Sequence, residues 1–443
     1  MAVARTLAQA TPALDPEIPL ENRDPRYVDL EPGRGSDGLA TLKKLFERAA
    51  ENRPLHVAFA SHRGAGKSTE LKRLAQQIST KYFTIYLQAN VEMDAVKFSM
   101  EDMLLVVART IEESMRQRGT PIAKSELKKV EDFFSQVVFE SAEGKKYLLG
   151  VEAGAKSEAK IPFLASLLAS VTASFKVESE HRESVKNQLR KYPGTLMTLV
   201  NNLLSAVTKV LEPEGLRLLV LIDNMDRYSP VVVDEFMVQS SDRFKELKCN
   251  IILTPPIELV LKAESQNVDG VFHLEIMPTV KLREKTQGYA EFSGAGRDLL
   301  LAALGKRIDL PKLIPDMQAQ NRLVSSSGGA IRELLELAQD ASLRADGSHI
   351  TLDDVNRVLD YRRSRMRDRI DANGWWDTLA QIARTKRIDK GSDFLEVIFQ
   401  RLVFQYNGEV WYDVHPLVAE LLEQRQAALT ATKRKTSARP AKK

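Results

Sequence analysis

One short stretch of the chain combines the residue types that bind phosphate, namely glycines, a lysine and hydroxyl groups. It reads Ser61-His62-Arg63-Gly64-Ala65-Gly66-Lys67-Ser68-Thr69. The backbone N–H groups of a glycine-bearing turn attract an anion, and so does the positive end of a helix that follows the turn. Lys67 supplies a mobile cation for the outer phosphates, and the Ser68 hydroxyl group is suited to bind magnesium. We therefore predict a nucleotide-phosphate site over residues 62–69, the alternative being a glycine-rich turn with a solvated lysine.

The stretch departs from the full phosphate-loop pattern at its first position. The pattern G-x-x-x-x-G-K-[ST] begins with glycine, whereas this chain has Ser61 there. Glycine tolerates backbone angles that serine does not, so we expect a small change where the chain enters the turn. Gly64 and Gly66 remain at the positions where the backbone comes closest to phosphate, and the site is expected to form.

Strands and helices must hold this stretch in place. Apolar runs predict five strands, near residues 55–60, 82–88, 217–223, 250–254 and 271–277. A helix from about Lys67 follows the first strand. The run Leu218–Ile222 is apolar at every position, as in a strand buried on both faces of a parallel sheet. We predict an α/β fold with a five-stranded, mainly parallel sheet.

Two acids follow the most apolar of these strands. Asp223 ends the strand, at the edge of a parallel sheet where ligands bind. A carboxylate there is suited to hold magnesium, directly or through water. Asp226 is the next acid along the chain and is predicted to orient an attacking water molecule. An acid after a strand also serves as a helix cap, but the phosphate-binding stretch favours the metal role.

A hydroxyl group ends the fourth predicted strand. Thr254 follows the apolar run Ile251–Leu253 and precedes Pro255-Pro256. At the tip of a parallel strand, its hydroxyl group is expected to contact the γ-phosphate or the attacking water. The alternative is that Thr254 caps the helix that follows.

The length of 443 residues exceeds that of one ordinary domain. We predict a flexible arm over 1–26, a nucleotide-binding core over 27–285, a helical lid over 286–370, a winged-helix-like module over 371–428 and a disordered basic tail over 429–443. The winged-helix outline rests on two helices, a hairpin turning at Asn407-Gly408 and a last helix that opens at Pro416.

Residues 119–193 are predicted to form a helical insertion, because Lys67 and Asp223 are much further apart than the roughly 30 residues of one strand–helix–strand crossover. The apolar run Ile161–Phe175 lies in this insertion and spans fifteen residues. A membrane span needs about 20, so we expect a buried or partner-facing helix instead of a membrane segment.

Charge and cysteine content bound the cellular setting. Cys249 is the single cysteine, so no disulfide framework exists within the chain and a reducing compartment fits. The N-terminus lacks the pattern of a secretory signal, and we expect a cytoplasmic protein. The last eleven residues carry six basic side chains and no acid; removing those charges from the formal net charge of +4 leaves −2. Attraction to nucleic acid is therefore expected only from local patches and from the tail.

Arginines crowd the end of the predicted lid, at positions 362, 363, 365, 367 and 369. Such a run is usually a solvated helix face. The alternative is a basic stripe that binds an anion.

These residues resemble the P-loop ATPases of the AAA-plus and signal-transducing (STAND) group, particularly the origin-recognition-like branch, and the related KAP group. The resemblance covers roughly residues 27–425. It implies that Lys67 and Ser68 are the Walker A lysine and hydroxyl and that Asp223 is the Walker B aspartate. It further implies that Arg34, in Gly33-Arg34-Gly35, lies by the adenine and that Arg332 is the lid arginine that reaches the γ-phosphate.

The resemblance implies an ATP- and magnesium-dependent ATPase that acts as a conformational switch and self-associates, with a protein partner, in a bacterial regulatory or defence-type system. Asn224 stands where many members have glutamate after the Walker B aspartate, so slow turnover is expected. Two other hypotheses remain open at this point. One is a scaffold that holds nucleotide without hydrolysis, and the other is a DNA-binding regulator that uses the winged helix and the tail.

Overall fold

The computed structural model describes most of the chain. The described residues are 3–139 and 191–437, apart from 18, 22, 51–52, 95–97, 264–269, 287, 289–293, 390 and 407–409. Most of the predicted insertion, including Ile161–Phe175, lies outside the described residues. So does the predicted hairpin turn at Asn407-Gly408.

A five-stranded sheet forms the centre of the α/β fold, as predicted. Its strands are β1 (His56–Ser61), β2 (Tyr82–Gln88), β3 (Arg217–Asp223), β4 (Asn250–Leu253) and β5 (His273–Met277). Their order across the sheet is β2-β3-β4-β1-β5. The β2–β3, β3–β4 and β4–β1 pairs are parallel, and Ile252 of β4 lies between Leu221 and Val57 in register. The all-apolar run of β3 is buried, which confirms a sheet covered on both faces.

The chain divides into two compact units. The sheet unit comprises residues 41–60 and 74–275, and the lid unit comprises residues 1–40, 61–73 and 276–443. This division differs from the predicted boundaries, because the phosphate-binding stretch and the N-terminal residues group with the C-terminal part of the chain.

Helices of the sheet unit follow the strands. The longer ones carry buried apolar faces, as in Met100–Gln117, where Ser99 and Asp102 form a capping box. The helices that begin before or within this unit are α3 (Gly38–Glu47), α4 (Lys67–Gln77), α5 (Ala89–Glu92), α6 (Met100–Gln117), α7 (Lys124–Phe139), α8 (Pro193–Leu211), α9 (Pro230–Val233), α10 (Ser241–Lys245) and α11 (Ile257–Ala263).

Helices also build the lid unit. They are α1 (Leu7–Ala13), α2 (Glu31–Arg34), α12 (Gly294–Gly305), α13 (Leu310–Leu313), α14 (Met317–Ser326), α15 (Ile331–Arg344), α16 (Leu352–Asn373), α17 (Trp376–Thr385), α18 (Ser392–Phe399) and α19 (Pro416–Ser437). The apolar faces of α12, α14, α15 and α16 share one core that includes Leu300, Leu323, Leu337 and Leu359. The predicted cap at Thr351 is present: its hydroxyl group accepts from the Asp354 N–H at 3.2 Å.

The N-terminal residues are not the flexible arm that the sequence suggested. Residues 7–13 form α1, and Ala10 and Leu14 are fully buried in the lid core. Gln339 donates a hydrogen bond to the Thr11 carbonyl at 2.7 Å. Ala4 pairs with the chain around Ile308. The prediction failed because a seven-residue helix that contains Pro12 shows no sustained period, and tertiary contacts supply its stability.

The C-terminal module has the predicted order of two helices, a hairpin and a final helix. The strands of the hairpin are β6 (Val403–Tyr406) and β7 (Trp411–Val414), and they pair antiparallel. The last helix α19 continues to Ser437. The predicted disordered tail is therefore helical over 429–437, since this stretch lacks proline and glycine, and residues 438–443 lie outside the described part. Within the described residues, no helix has the length and apolar character needed to cross a membrane.

Candidate nucleotide site

The phosphate-binding stretch forms a tight loop between β1 and α4. Gly64 has φ +93° and Gly66 has φ +99°, both in the region that glycine adopts without strain. The helix begins directly at Lys67. Ser61 still belongs to β1, and its backbone is not among the positive-φ residues, so serine is tolerated where the full pattern has glycine. Its hydroxyl group donates to the His62 carbonyl at 3.1 Å.

The lid helix α15 begins against this loop. The Arg332 N–H donates to the Gly64 carbonyl at 3.0 Å. A Cβ atom added to Gly64 would lie 2.7 Å from the Arg332 Cβ, closer than real side chains approach. The structure therefore places the backbone of Arg332 against the phosphate loop, and its contact with a γ-phosphate stays a prediction. Its guanidinium group is ion-paired with Glu17, which the sequence did not single out.

Arg34 lies beneath the loop, and its side chain is only 1% exposed. Its Nη2 donates to the Ala65 carbonyl at 2.7 Å, and its Nη1 lies 3.5 Å from Glu70 Oε1. The tyrosine hydroxyl of Tyr27 and the guanidinium of Arg73 also contact Glu70. Burial raises the pKa of Glu70 to about 7, against the opposing effect of Arg34. The side chain of Arg34 thus braces the loop from inside through Ala65 and Glu70, and its implied place beside an adenine stays a prediction.

His62 and Thr69, both predicted to contact nucleotide, direct their side chains elsewhere. His62 is fully buried, its Nε2 accepts from the Gln405 N–H at 2.6 Å, and its ring meets the Phe404 ring edge to face at 5.3 Å. Burial lowers the pKa of His62 to about 3, so the imidazole is neutral. The Thr69 hydroxyl group accepts from the Leu20 N–H at 3.1 Å. The imidazole of His62 is therefore occupied inside the lid unit, whereas the Thr69 hydroxyl group uses only an acceptor position in its bond with Leu20.

The other predicted loop residues differ in exposure. Arg63 is exposed, Ser68 is half-buried, and Ala65 and Lys67 are buried. The loop therefore retains its lysine, its serine hydroxyl group and the backbone around its two glycines as the groups that suit a phosphate.

In the sheet unit, Asp223 ends β3 and is fully buried. The Tyr86 hydroxyl group donates to its Oδ2 at 2.5 Å, and the Asn224 N–H donates to its Oδ1 at 2.7 Å. Each carboxylate oxygen keeps capacity for a further interaction. Sequence reasoning missed Tyr86, although its place two residues before the end of β2, the strand beside β3, was available as a signal.

Thr254 follows β4 beside β3 and is fully buried. Its hydroxyl group donates to the Ile222 carbonyl at 3.3 Å and accepts from the Met225 N–H at 3.3 Å. The hydroxyl group thus ties the ends of β3 and β4 together, and a contact with phosphate requires it to exchange a partner. It does not cap α11, which begins at Ile257. Asp226 lies half-buried in a short 3₁₀ turn over Met225–Arg227.

The residues present fit a nucleotide with magnesium. At Gly64 the loop backbone approaches its neighbour too closely for any side chain, and the two positive-φ glycines turn the chain into a helix start. Within the described residues no group of three or more histidine, cysteine, aspartate or glutamate side chains forms a metal cage. Magnesium is commonly held by one or two protein oxygens together with water and substrate phosphates. The Ser68 hydroxyl group of the lid unit and the Asp223 carboxylate of the sheet unit are each an oxygen of this kind.

The hairpin of the C-terminal module is described over its two strands. All eight residues of β6 and β7 are buried. Asp413 is fully buried and ion-paired with Arg283 and with Lys386 Nζ at 2.7 Å. Burial, with help from Arg283, lowers the pKa of Lys386 to about 8. The turn that joins the two strands lies outside the described residues, and a DNA contact by this module stays a prediction.

Comparison with known proteins adds structural neighbours only. No family model and no curated protein matches the chain. A Walker-type ATPase of Pyrococcus abyssi is 14% identical over 93% of this chain and 99% of its own, with a TM-score of 0.44. Cdc6p from Pyrobaculum aerophilum is 10% identical over 94% and 98%, with a TM-score of 0.38. The Aeropyrum pernix Orc1 protein, solved in complex with DNA, is 12% identical over 94% and 98%, with a TM-score of 0.39. Because these scores lie below 0.5, the function has to be inferred from the chain's own residues.

Proposed function

We propose that the chain binds ATP through the loop of residues 62–69. The observation that carries this proposal is the loop itself: Gly64 and Gly66 at positive φ lead directly into a helix that begins at Lys67. Backbone N–H groups at such a turn and the helix dipole favour an anion. Lys67 is the cation for the outer phosphates.

Ser68 and Asp223 are proposed to hold magnesium. The ion, when bound, neutralises charge on the phosphate oxygens. The support for Asp223 is its place at the end of a buried parallel strand, with Tyr86 and Asn224 fixing its carboxylate. Asp226 is proposed to orient the attacking water. Asn224 lacks the carboxylate that a fast hydrolase would place there, so we expect slow turnover.

The proposed role of turnover is a nucleotide-dependent conformational switch. Arg332 is proposed to sense the γ-phosphate, because its backbone N–H is hydrogen-bonded to the Gly64 carbonyl in the loop. In the nucleotide-bound protein its guanidinium would exchange Glu17 for phosphate, and loss of the γ-phosphate would return it to Glu17. Thr254 is proposed as the second reporter, through exchange of its bond with the Ile222 carbonyl.

Self-association, a protein partner and a bacterial regulatory or defence setting belong to the same proposal and rest on the resemblance alone. An arginine from a neighbouring copy would complete the site. We offer Arg243, which is ion-paired with Glu101 at 2.7 Å within its own unit, as one candidate for that arginine.

Calorimetric titration with ATP and with a non-hydrolysable analogue tests the binding proposal. Lys67→Ala should weaken binding by at least about tenfold, about 1.4 kcal/mol. Lys81→Ala is the matched control, since Lys81 lies just beyond the same helix and contacts the Glu47 carbonyl, and it should bind as the wild type does. Equal affinity of Lys67→Ala and the wild type would overturn the proposal.

A second candidate function is a scaffold that holds ATP without turnover. The specific observation in its favour is Asn224. Its backbone lies in the left-handed region at φ +64°, and its N–H donates a hydrogen bond to the Asp223 carboxylate. Turnover in single-turnover assays with wild type and Asp226→Asn separates the two candidates. Measurable wild-type hydrolysis that falls in Asp226→Asn supports the switch, and absence of hydrolysis in every oligomeric state supports the scaffold.

A further inference from the structure

A second candidate site lies in the lid unit, away from the phosphate loop in sequence. It is a cavity of about 330 Å³ bounded by α15, α16 and the turn after α18. Its polar lining consists of Glu333, Asp340, Tyr361, Arg362, Arg365, Arg369, Gln400 and Arg401. We propose that this cavity binds the phosphate dianion of a small phosphomonoester.

Two of the arginines have no carboxylate partner. Arg365 donates to the Tyr361 hydroxyl group at 3.4 Å, and Arg369 donates to the Gln400 carbonyl at 3.3 Å. Within the described part of the chain, neither guanidinium group makes an ion pair. Partial withdrawal from water, together with the positive charges of Arg401 and Arg365, holds the pKa of Arg369 below the usual arginine value. The cavity therefore gathers like charges that an anion would relieve.

The acids of the cavity are already balanced by the other two arginines. Arg362 contacts Glu333 at 3.4 Å, Glu336 at 3.2 Å and Asp340 at 2.9 Å. Arg401 also contacts Glu333, at 3.5 Å. The lining thus holds four arginines against two acids, and Glu336 behind Arg362 lowers the excess to one positive charge. A phosphomonoester carries about −1.5 to −2 charges at pH 7, and Arg365 and Arg369, which have no carboxylate partner, are the cations that would meet it.

Arg401 adds an independent observation. It has φ +60°, in the left-handed region that favours glycine. Its N–H donates to the Ile398 carbonyl at 2.9 Å and the next N–H, of Leu402, donates to the Val397 carbonyl at 2.9 Å, so the residue ends α18 at a position where glycine is the usual choice. The backbone of an arginine is strained at this φ angle. The role of the side chain in the cavity wall accounts for an arginine at this position.

The shape and lining favour a small ligand over a nucleic-acid strand. The volume falls at the lower end of small-molecule pockets. The Tyr361 ring and Met366 supply an apolar wall beside the arginines, which suits the organic part of a phosphomonoester. A nucleic acid offers one charge per phosphate along an extended surface, and this cavity gathers its arginines in one place.

Titration of the full chain in a Lys67→Ala background tests the proposal, because the change at Lys67 is directed at the phosphate loop. The probes are glucose 6-phosphate, AMP and inorganic phosphate, with glucose as the uncharged control and a short DNA duplex as the competing class. Calorimetry and thermal shift should show binding of the phosphomonoesters and no binding of glucose. The double variant Arg365→Gln/Arg369→Gln should weaken that binding at least tenfold.

Arg367→Gln is the matched control for these variants. Arg367 lies on the same helix, contacts Gln424 and does not line the cavity, so its loss should leave binding unchanged. Arg365 and Arg369 are exposed and have no ion pair to lose, so the double variant should keep the wild-type melting temperature. Phosphomonoester binding that is equal in the double variant and its background overturns the proposal, as does binding of the duplex alone or of no probe. Since the readout is a difference between cavity variants, it is independent of whether the phosphate loop binds ATP.

Discussion

His62 of the phosphate loop accepts a hydrogen bond from the backbone N–H of Gln405, with 2.6 Å between the two nitrogens and no exposure of the histidine ring to water. The bond joins the loop to the hairpin of the C-terminal module across 343 positions of sequence. Because the ring nitrogen accepts, the imidazole must be neutral, with its proton on Nδ1. The lid unit therefore depends on the protonation state of one residue in its phosphate loop.

Acid should loosen the lid unit through His62. Its pKa is about 3 when folded and 6.5 in the unfolded chain, so the unfolded state binds the proton first and stability falls as the pH drops below 6.5. At pH 5 the loss from this group is about 2 kcal/mol. In His62→Gln an amide oxygen replaces the acceptor without titrating. In denaturant titrations, the free energy of unfolding of His62→Gln should therefore fall less between pH 7 and pH 5 than that of the wild type.

The matched control for that measurement is His349→Gln, since His349 is exposed on the loop before α16. It should reproduce the wild-type decline, because His62 is intact. His415, also fully buried with its pKa lowered to about 3, adds a decline of the same sign in both proteins. If the free energy of unfolding depended on pH equally in His62→Gln and in the wild type, protonation of the imidazole would not destabilise the folded protein.

Release of Arg332 should strengthen ATP binding. Glu17 is a partly exposed acid that holds the Arg332 guanidinium, and a partly exposed ion pair contributes at most about 1 kcal/mol. Glu17→Gln should therefore raise ATP affinity about two- to fivefold in calorimetric titrations. Glu21→Gln is the control, because Glu21 pairs with Lys72 instead. A fall in affinity to the level of Arg332→Ala would mean that Glu17 positions the arginine for the nucleotide.

Alanine at Gly64 should damage the loop beyond the cost of its backbone angle. Gly64 and Gly35 both have positive φ, so alanine at either should cost about 1 kcal/mol of stability. The Cβ atom at Gly35 meets nothing within 4 Å, whereas at Gly64 it lies 2.7 Å from the Arg332 Cβ. We expect Gly64→Ala to lose a further 1–3 kcal/mol, roughly, in thermal unfolding and most of its ATP affinity. Equal losses of stability in the two variants would show that α15 moves away from the added methyl group without loss of free energy.

Tyr86 should set the magnesium requirement of ATP binding. Its hydroxyl group orients the Asp223 carboxylate, and loss of such an orienting partner lowers metal affinity roughly tenfold or more. Tyr86→Phe should shift the magnesium dependence of calorimetric ATP binding accordingly. Tyr82→Phe on the same strand loses the hydrogen bond to the Phe46 carbonyl and the one from Arg217, at a cost of about 1 kcal/mol of stability each. Tyr82→Phe should leave the magnesium dependence of ATP binding unchanged. A shift of equal size in Tyr82→Phe and Tyr86→Phe would mean that destabilisation of β2 causes it.

Local patterns in the sequence were sufficient for the strands and for the loop. The apolar run Leu218–Ile222 predicts a buried parallel strand because such strands have no polar face, and β3 confirms it. The glycine spacing before Lys67 predicts the strand–loop–helix because few residues tolerate these turns. The capping box at Thr351 was visible for the same local reason.

Side-chain direction was not visible, because it depends on partners that are distant in sequence. His62 and Arg34 read as nucleotide contacts, yet Gln405 and Glu70 occupy their polar groups inside the lid unit. The helix α1 gave no periodic signal and is held by Thr11 and its neighbours against α15. The ion pair of Arg332 with Glu17 likewise joins residues that are distant in sequence, so no local pattern could predict it.

The sequence by itself determined that a glycine-bearing turn with Lys67 and Ser68 follows a buried strand, and that an acid, Asp223, ends another strand of the same sheet. Those facts depend on backbone angles and on alternation of polarity over a few residues. Only the tertiary structure decided which of the loop's side chains face inward, that α15 begins on Gly64, and that four arginines of the lid unit share one cavity. The physical reason is that burial and charge pairing are decided by residues brought together from hundreds of positions apart, and no short pattern records them.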